Sequence, residues 1–299
     1  MKRIVECVPN FSEGRKEHVV KSIAAEIEGD GRVKLLDVEM DASHNRSVIT
    51  FVGSPEGCRD AAFRAIKKAA ELIDMNTQEG EHPRIGATDV VPFVPVSGVT
   101  MEDCVALAKE LGRRVAEELK IPVYLYEHAA TSPQRRNLAF IRKGEYEGLK
   151  EAIRSDPGRK PDYGPSELHP TAGATVIGAR EFLIAYNVYL NTDKKEIAQR
   201  IAKAIRESSG GLKFVRALGF YIEEVNMAQV SMNLVNFRGT PIHDVMEAIA
   251  RECERLGTEI VSSEVVGLIP QEALTDSALF YLKLKEFDKR QIIEERLQE

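Results

Sequence analysis

The chain has 299 residues, of which 43% are hydrophobic, 29% charged and 6% aromatic, and it contains no Trp. Lys and Arg total 41 against 47 Asp and Glu, so the net charge of −6 disfavours nucleic acid as a partner. The length is enough for two domains, so neither a disulfide nor a metal is needed to stabilise a core.

The spacing of the cysteines and the lack of long apolar segments indicate the cellular compartment of the protein. The four cysteines stand singly, without a C-x-x-C pair, which fits reduced thiols and excludes the common zinc-ribbon and thioredoxin motifs. The N-terminus lacks the apolar run of a signal peptide, and no stretch approaches the ~20 apolar residues of a membrane span. We therefore expect a cytoplasmic protein with no membrane segment and no bound metal.

Strand and helix patterns alternate through the first half of the chain. The predicted elements are a strand at 3–8, a helix at 16–27, strands at 33–41 and 46–53, a helix at 55–74, a strand at 88–96, a helix at 100–119 and a strand at 122–126. Ser54 and Pro55 are typical of a helix start, and Thr100 and Asp103 have capping-box spacing. An interrupted helical pattern follows at 132–156. Segment 157–173, with four prolines and three glycines, predicts a functional loop or domain connection.

The second half repeats this order. It predicts a strand at 182–190, a helix at 193–206, strands at 215–224 and 228–237, a helix at 241–256 and a strand at 259–266, before a charged helical tail at 286–299. Each half therefore contains the ferredoxin-like order β-α-β-β-α-β. The similar segments 51–55 and 237–241 support a duplication. We expect an α/β (α+β) fold of two such subdomains, at residues 1–173 and 174–299.

One strand in each half alternates polar and apolar residues. The polar members are Asp37, Glu39 and Asp41 in the first half, and Gln229, Ser231 and Asn233 in the second. A period of two places the apolar face on helices and leaves the polar face uncovered. The two polar faces could line a hydrated cleft between the sheets, or each could face bulk water, and the pattern fits both.

The most unusual stretch, 80–96, contains His82, Arg84 and three prolines. Pro83 restricts its own φ and biases His82 toward an extended backbone. A rigidly held imidazole that titrates near neutrality suits proton transfer, although a histidine that caps a loop would look the same. Among the six histidines, His82 is the best candidate for proton transfer, and His169 is a candidate for substrate contact.

Several standard motifs are absent from the sequence. The P-loop, G-x-G-x-x-G, G-x-S-x-G and H-E-x-x-H patterns do not occur. Nucleotide hydrolysis, dinucleotide redox chemistry, serine hydrolysis and zinc proteolysis therefore lack their usual evidence.

Longer motifs across nearly the whole chain resemble the formiminotransferase family, the transferase half of vertebrate formiminotransferase-cyclodeaminase. They lie, in order, at residues 5–14, 45–53, 72–75, 80–96, 122–126, 162–166, 173–180, 228–231 and 266–270. The resemblance implies transfer of a formimino group between N-formimino-L-glutamate and N5 of tetrahydrofolate, in histidine degradation and one-carbon metabolism. It also implies two related subdomains whose sheets face one another across a central folate cleft. A homodimer is implied as well, with formiminoglutamate or glutamate and a reduced folate as small-molecule partners. We expect no cyclodeaminase domain in the chain.

The resemblance also implies the site residues. His82 matches the catalytic histidine, which acts as general base and acid. The folate-binding segment matches Gly164, Pro165, Ser166, Glu167, Leu168, His169, Pro170, Thr171, Ala172 and Gly173. Ala172 stands where vertebrate members have Trp. The candidates for the substrate cleft are Asn10, Glu39, Arg46 and Arg84, with Glu39 standing where vertebrate members have Asp. Arg135, Arg136 and Arg142 either bind carboxylates or form a solvated helical face.

Two alternative functions use the same site. One is formyl transfer between 5-formyltetrahydrofolate and glutamate, which differs only by oxygen in place of NH on one carbon. The other is non-catalytic folate binding, against which the His82 motif argues. RNA binding by ferredoxin-like sheets is weakened by the negative charge and the few aromatic residues on the predicted polar faces.

Overall fold

The computed structural model describes residues 2–297, which form two compact units. The first unit ends at Arg180 and the second begins at Glu181. The sequence places the boundary after Gly173. The structure divides the chain later because residues 175–179 form a strand of the first sheet.

The first unit contains seven strands and five helices among the described residues. In chain order they are β1 (Ile4–Cys7), β2 (Asn10–Phe11), α1 (Glu17–Glu28), β3 (Val33–Asp41), β4 (Arg46–Gly53), α2 (Pro55–Leu72), β5 (Thr88–Ser97), α3 (Met101–Leu119), β6 (Val123–Glu127), α4 (Leu138–Ile141), α5 (Glu145–Ser155) and β7 (Thr175–Ala179). The predicted helix starts are confirmed: Ser54 Oγ accepts from the Gly57 amide, and Thr100 and Asp103 form a capping box.

The sheet of this unit extends a ferredoxin-like core. Strands β3, β4, β1 and β5 are antiparallel neighbours in that order, and β2 pairs with β4 and β5. Strands β7 and β6 then continue the sheet parallel to β5. The sequence analysis did not predict β7.

Helices pack on both faces of this sheet. Helices α1, α2 and α3 bury a large core against one face. A smaller core on the other face joins β5, β6 and β7 to α4 and α5 through Val90, Tyr124, Val176, Ile141 and Leu149. The helices α4 and α5 therefore stand beside the part of this face that belongs to β3 and β4.

The alternation predicted for β3 is present, but its apolar side chains are not buried. Leu36, Val38 and Met40 are 40%, 37% and 38% exposed. Leu36 lies at a bulge between Leu35 and Asp37, and Val38 and Met40 follow it, on a strand that pairs with β4 alone and forms the edge of the sheet. The expectation that this apolar face packs on helices is wrong for these three residues.

The second unit has a four-stranded antiparallel sheet. Its elements are β8 (Ile184–Leu190), α6 (Lys195–Ile205), β9 (Val215–Ile222), β10 (Met227–Leu234), α7 (Ile242–Leu256), β11 (Ile260–Val266), α8 (Gln271–Tyr281) and α9 (Ile293–Leu297). The strand order β11-β8-β10-β9 is the ferredoxin-like one, with α6 and α7 packed on the sheet. The predicted pair of β-α-β-β-α-β units is therefore confirmed.

The end of the chain differs from its prediction. Helix α8 was not predicted, and the expected helix at 286–299 is a 3₁₀ turn, Lys289–Gln291, followed by the short α9. The last two residues of the predicted tail lie outside the described part. Among the helices of residues 2–297, none is both long enough and apolar enough to cross a membrane.

Candidate active site

The loop between α2 and β5 carries His82 and is held at several points. The Asn45 side-chain amide donates to the Glu79 carbonyl at 2.7 Å, and Asp89 Oδ1 accepts from the Ile85 amide at 2.9 Å. Gly80 lies so close to the turn between β3 and β4 that a Cβ there would be 2.4 Å from the His44 carbonyl oxygen. Tertiary contacts therefore position His82, in addition to the restriction imposed by Pro83.

The imidazole of His82 contacts Arg46, the first residue of β4. Arg46 Nη1 lies 2.9 Å from His82 Nε2. A guanidinium can only donate, so Nε2 is the acceptor and the single ring proton belongs on Nδ1. The contact therefore requires a neutral imidazole.

Burial and positive neighbours keep this imidazole neutral. Burial is the largest cause that lowers the pKa of His82, to about 2, and the charges of Arg46, Arg142 and His44 act in the same direction. Asp41 opposes them. The sequence alone predicts a pKa near the working pH for this imidazole. The structure differs because the ring is buried and because two guanidiniums, whose positions the sequence does not give, lie near it.

Arg46 has no ion-pair partner within residues 2–297. Its one side-chain hydrogen bond in this part of the chain is to His82. Burial lowers the pKa of Arg46, as does Arg142, while Asp41, Asp89 and Glu39 act in the opposite direction through space. A half-buried guanidinium without a carboxylate partner is a binding group for an anion.

Asn10 and Glu39 lie on the same face as Arg46. Asn10 is paired with Val48, and Val48 is paired with Glu39, so the side chains of these three residues point to one side of the sheet. Arg46 points to the same side because it lies two residues before Val48 on β4. The Asn10 side-chain amide donates to the Val8 carbonyl at 3.0 Å. Burial raises the pKa of Glu39, and Asp37 adds to this effect, while Arg46 opposes it.

Arg84 is held within the fold. It is buried and donates to Glu145 at 2.8 Å, to Glu147 at 2.9 Å and to the Gln78 carbonyl at 2.8 Å. These bonds join the His82 loop to the first turn of α5. Arg84 is thus bound to carboxylates of the fold, whereas Arg46 is bonded to His82, although the sequence predicts both as candidates for the substrate cleft.

Arg142 and Asp89 form a further ion pair near His82. Arg142 directly follows α4, and its Nη2 donates to Asp89 Oδ2 of β5 in a short hydrogen bond. Asp89 is only 2% exposed and also accepts from the Ile85 amide. The pair therefore connects α4, β5 and the His82 loop.

The segment from Gly164 to Gly173 ends against the His82 loop. The Ala87 amide donates to the Ala172 carbonyl at 2.9 Å, and the Ala174 amide donates to the Ile85 carbonyl at 3.0 Å. Gly173 has φ +72°, and a Cβ there would lie 2.5 Å from the Ile85 carbonyl oxygen, so this approach requires glycine.

The beginning of the same segment lines a cavity of about 540 Å³ beside α3. The lining includes Gly164, Pro165, Glu167, Leu168, His169 and Pro170. Arg113 and Lys120 line the same cavity together with two carboxylates, those of Glu117 and Glu167. His169 Nδ1 accepts from the Ala172 amide at 3.0 Å, which leaves the ring proton on Nε2. One continuous segment therefore links this cavity to the loop that carries His82.

Family models match both units of the chain. The N-terminal subdomain of the formiminotransferase domain matches residues 4–180, and the formiminotransferase domain matches residues 185–298. The chain belongs to the formiminotransferase family. The resemblance inferred from the sequence motifs is confirmed, and the two matched stretches coincide with the two structural units.

Relatives of this chain include proteins of similar length. It is 54% identical to "Glutamate formimidoyltransferase" of Thermoplasma acidophilum, over 99% of this chain and 97% of that protein. It is 48% identical to the protein of the same name from Streptococcus pyogenes, over 99% of both chains. It is also 49% identical to "Formimidoyltransferase-cyclodeaminase" of Mus musculus, over 94% of this chain and 53% of that protein.

The sequence alone did not point to Asp89 and left the role of Arg142 open. The available signal was an acidic residue inside an apolar strand, since a buried carboxylate is almost always paired. Arg135, the neighbouring alternative, is paired with Asp162 at 2.7 Å, and Arg136 is exposed. Within residues 2–297, no group of three or more His, Cys, Asp or Glu is arranged to hold a metal ion.

Proposed function

We propose that the chain is a glutamate formimidoyltransferase, which moves a formimino group between N-formimino-L-glutamate and N5 of tetrahydrofolate. Two relatives of this name, 54% and 48% identical over 99% of the chain, support the proposal. The structural observation that carries it is the neutral His82 imidazole hydrogen-bonded to Arg46, a half-buried guanidinium that has no carboxylate partner in residues 2–297.

In the proposed reaction, His82 carries one proton between two nitrogens. N5 of tetrahydrofolate attacks the formimino carbon, and His82 removes the N5 proton. The tetrahedral carbon then loses glutamate as its C–N bond breaks, and His82 returns the proton to the glutamate nitrogen. Atoms and charges balance without another reactant, and general acid–base catalysis of this kind contributes about 10²–10⁴ in rate.

Substrate binding would release His82 for this task. Arg46 occupies His82 Nε2, the lone pair that a base needs. A substrate carboxylate is a stronger acceptor than imidazole, so it would attract the Arg46 donors and expose Nε2. It would also offset positive charge beside the ring and raise the pKa of His82 toward neutrality. Glu39, on the same face as Arg46, would stabilise positive charge on the formimino carbon.

We propose that residues 164–173 bind the reduced folate. The cavity of about 540 Å³ lies within the range of small-ligand sites, about 300–1,000 Å³. The backbone bonds of Ala172 and Ala174 to the His82 loop support a folate site that is continuous with the reaction site. Arg113 and Lys120 offer positive charge to the folate's glutamate tail.

Steady-state assays with two donors test the proposed reaction. With tetrahydrofolate as acceptor, formiminoglutamate should yield glutamate and 5-formiminotetrahydrofolate in equal amounts. Inertness toward formiminoglutamate combined with turnover of 5-formyltetrahydrofolate and glutamate would establish formyl transfer instead. Tight folate binding without turnover of either donor would indicate a binding protein.

Three further properties are proposals, of which the family resemblance supports the homodimer and the metabolic role, and the sequence composition supports the location. We propose a homodimer, a cytoplasmic location and a role in histidine degradation and one-carbon metabolism. Light scattering on the purified chain measures its mass in solution, and a mass of one chain would contradict the dimer.

A further inference from the structure

Arg142 uses few of its hydrogen-bond donors. Its side chain is 15% exposed, and Asp89 is the one side-chain acceptor for it within the described residues. Its Nε is buried without an acceptor in that part of the chain. An Arg side chain offers five N–H groups, so most of the donors of Arg142 have no acceptor among the described residues.

Arg142 and Arg46 lie close enough to affect each other and the same imidazole. The charge of Arg142 lowers the pKa of Arg46, and both charges lower the pKa of His82. Geometry gives the same placement, because Arg46 contacts His82 directly and Asp89 joins Arg142 to the Ile85 amide of the His82 loop. Two guanidiniums from separate elements therefore surround one reacting group.

The carboxylates around these arginines leave Arg46 without a direct ion pair in residues 2–297. Asp89 is paired with Arg142, and Asp41 is bonded to His44 at 2.6 Å. Glu39 acts on Arg46 through space and has no ion pair in residues 2–297. Of the two arginines, Arg142 is thus paired with a carboxylate, and both guanidiniums keep N–H groups that have no acceptor in residues 2–297.

We propose that Arg46 and Arg142 form a subsite for a dicarboxylate, in which each guanidinium binds one of the two carboxylates of formiminoglutamate or glutamate. The inference rests on the proposed function and adds Arg142 as a substrate-binding residue. Asp89 is a positioning residue, since it holds Arg142 by one nitrogen and leaves its other donors to the substrate. A planar guanidinium suits this role because it can bind a carboxylate through two parallel hydrogen bonds.

The test compares formiminoglutamate with its two monoamides, which each lack one carboxylate. For Arg142→Gln we expect kcat/KM for formiminoglutamate to fall by about 10- to 100-fold, the usual effect of losing a charged hydrogen bond. The preference for the dicarboxylate over one of the monoamides should fall by the same factor. Arg142→Lys should restore part of the loss, and the Kd for tetrahydrofolate should stay within about threefold. Arg136→Gln, on the exposed 3₁₀ turn Pro133–Arg136, is the matched control and should leave all rates unchanged.

Equal losses for the dicarboxylate and both monoamides would overturn the inference, because they would indicate a structural role for Arg142. Calorimetry with glutamate, glutamine and isoglutamine gives a second readout that needs no turnover. A wild-type chain that is inert toward formiminoglutamate would contradict the proposed function alone, and glutamate binding would still test the subsite. If Arg142→Gln does not fold, the same measurements on Arg142→Lys decide, and unchanged selectivity in that variant would overturn the inference.

Discussion

Arg46 Nη1 lies 2.9 Å from His82 Nε2, so a permanent positive charge is hydrogen-bonded to the proposed base. Such a contact keeps the imidazole neutral and at the same time occupies the lone pair that would accept a proton. The proposed base therefore has the correct charge, but Arg46 occupies the lone pair that it needs. Ligand carboxylates that attract Arg46 would make it available, which links substrate binding to proton transfer.

Replacing His82 should separate catalysis from folate binding. For His82→Ala we expect turnover to fall by about 10²–10⁴, because the N5 proton loses its acceptor. The Kd for tetrahydrofolate should stay within about threefold, since the proposed folate segment is unchanged. Steady-state kinetics and fluorescence titration measure the two quantities. His18→Ala, on the exposed side of α1, is the control, and full activity in His82→Ala would contradict the assignment.

The ionisation of His82 should depend on Arg46. In the wild-type chain the lowered pKa keeps the ring neutral through the physiological range. For Arg46→Met we expect the pKa of His82 to rise yet remain below its usual value of 6.5, because burial is the largest cause of the shift. Nitrogen chemical shifts of the imidazole during a pH titration measure it. An unchanged titration curve would show that the contact with Arg46 has no electrostatic effect.

The lowered pKa of His82 should also make the free energy of unfolding depend on pH. Below pH 6.5 the unfolded chain protonates His82 while the folded chain leaves it neutral, so this group lowers the free energy of unfolding as the pH falls. In His82→Ala that contribution is lost, and the free energy of unfolding should decrease less steeply between pH 6.5 and 5. Urea denaturation at several pH values measures both slopes, and parallel slopes would contradict the expectation.

Asp89→Asn should destabilise the first unit. The buried carboxylate offsets the charge of Arg142, and removal of one partner of a buried ion pair costs about 3–5 kcal/mol. Asparagine can still accept from the Ile85 amide, so the change acts mainly on the ion pair. Urea denaturation measures the loss. Asp156→Asn, at an exposed position, is the control, and equal stability of the two variants would show that the Asp89–Arg142 pair contributes nothing.

Gly173→Ala should disturb the junction between the folate segment and the His82 loop. Its positive φ and the 2.5 Å distance from a Cβ to the Ile85 carbonyl oxygen predict strain of about 1–3 kcal/mol and weaker tetrahydrofolate binding. Gly210→Ala is a matched control because Gly210 also has a positive φ, +87°, but a Cβ there meets nothing within 4 Å. Thermal denaturation and folate titration of both variants measure the difference. Equal effects of the two variants on stability and folate binding would show that the positive φ alone causes the loss.

Local patterns determined much of the architecture. The bounds of β3 and β4, the N-cap of α2 and the capping box of α3 follow from the sequence, because alternation and capping act between residues close in the chain. The motif around His82 likewise predicts the family, which the comparisons confirm. The pairing of β7 with β5 and β6 did not follow, since a short buried strand has no periodicity of its own.

The chemical state of the site was decided by the tertiary structure. The partners Arg46 and His82 are 36 residues apart, and Arg142 and Asp89 are 53 residues apart. No local pattern predicts that these side chains meet, because their contacts depend on how β4, β5 and α4 pack. The pKa of His82 depends on the same packing, through the removal of water and the approach of two charges. The sequence by itself thus determined which family the chain joins and predicted His82 as the residue that carries the proton, whereas the fold decided the charges that surround that residue.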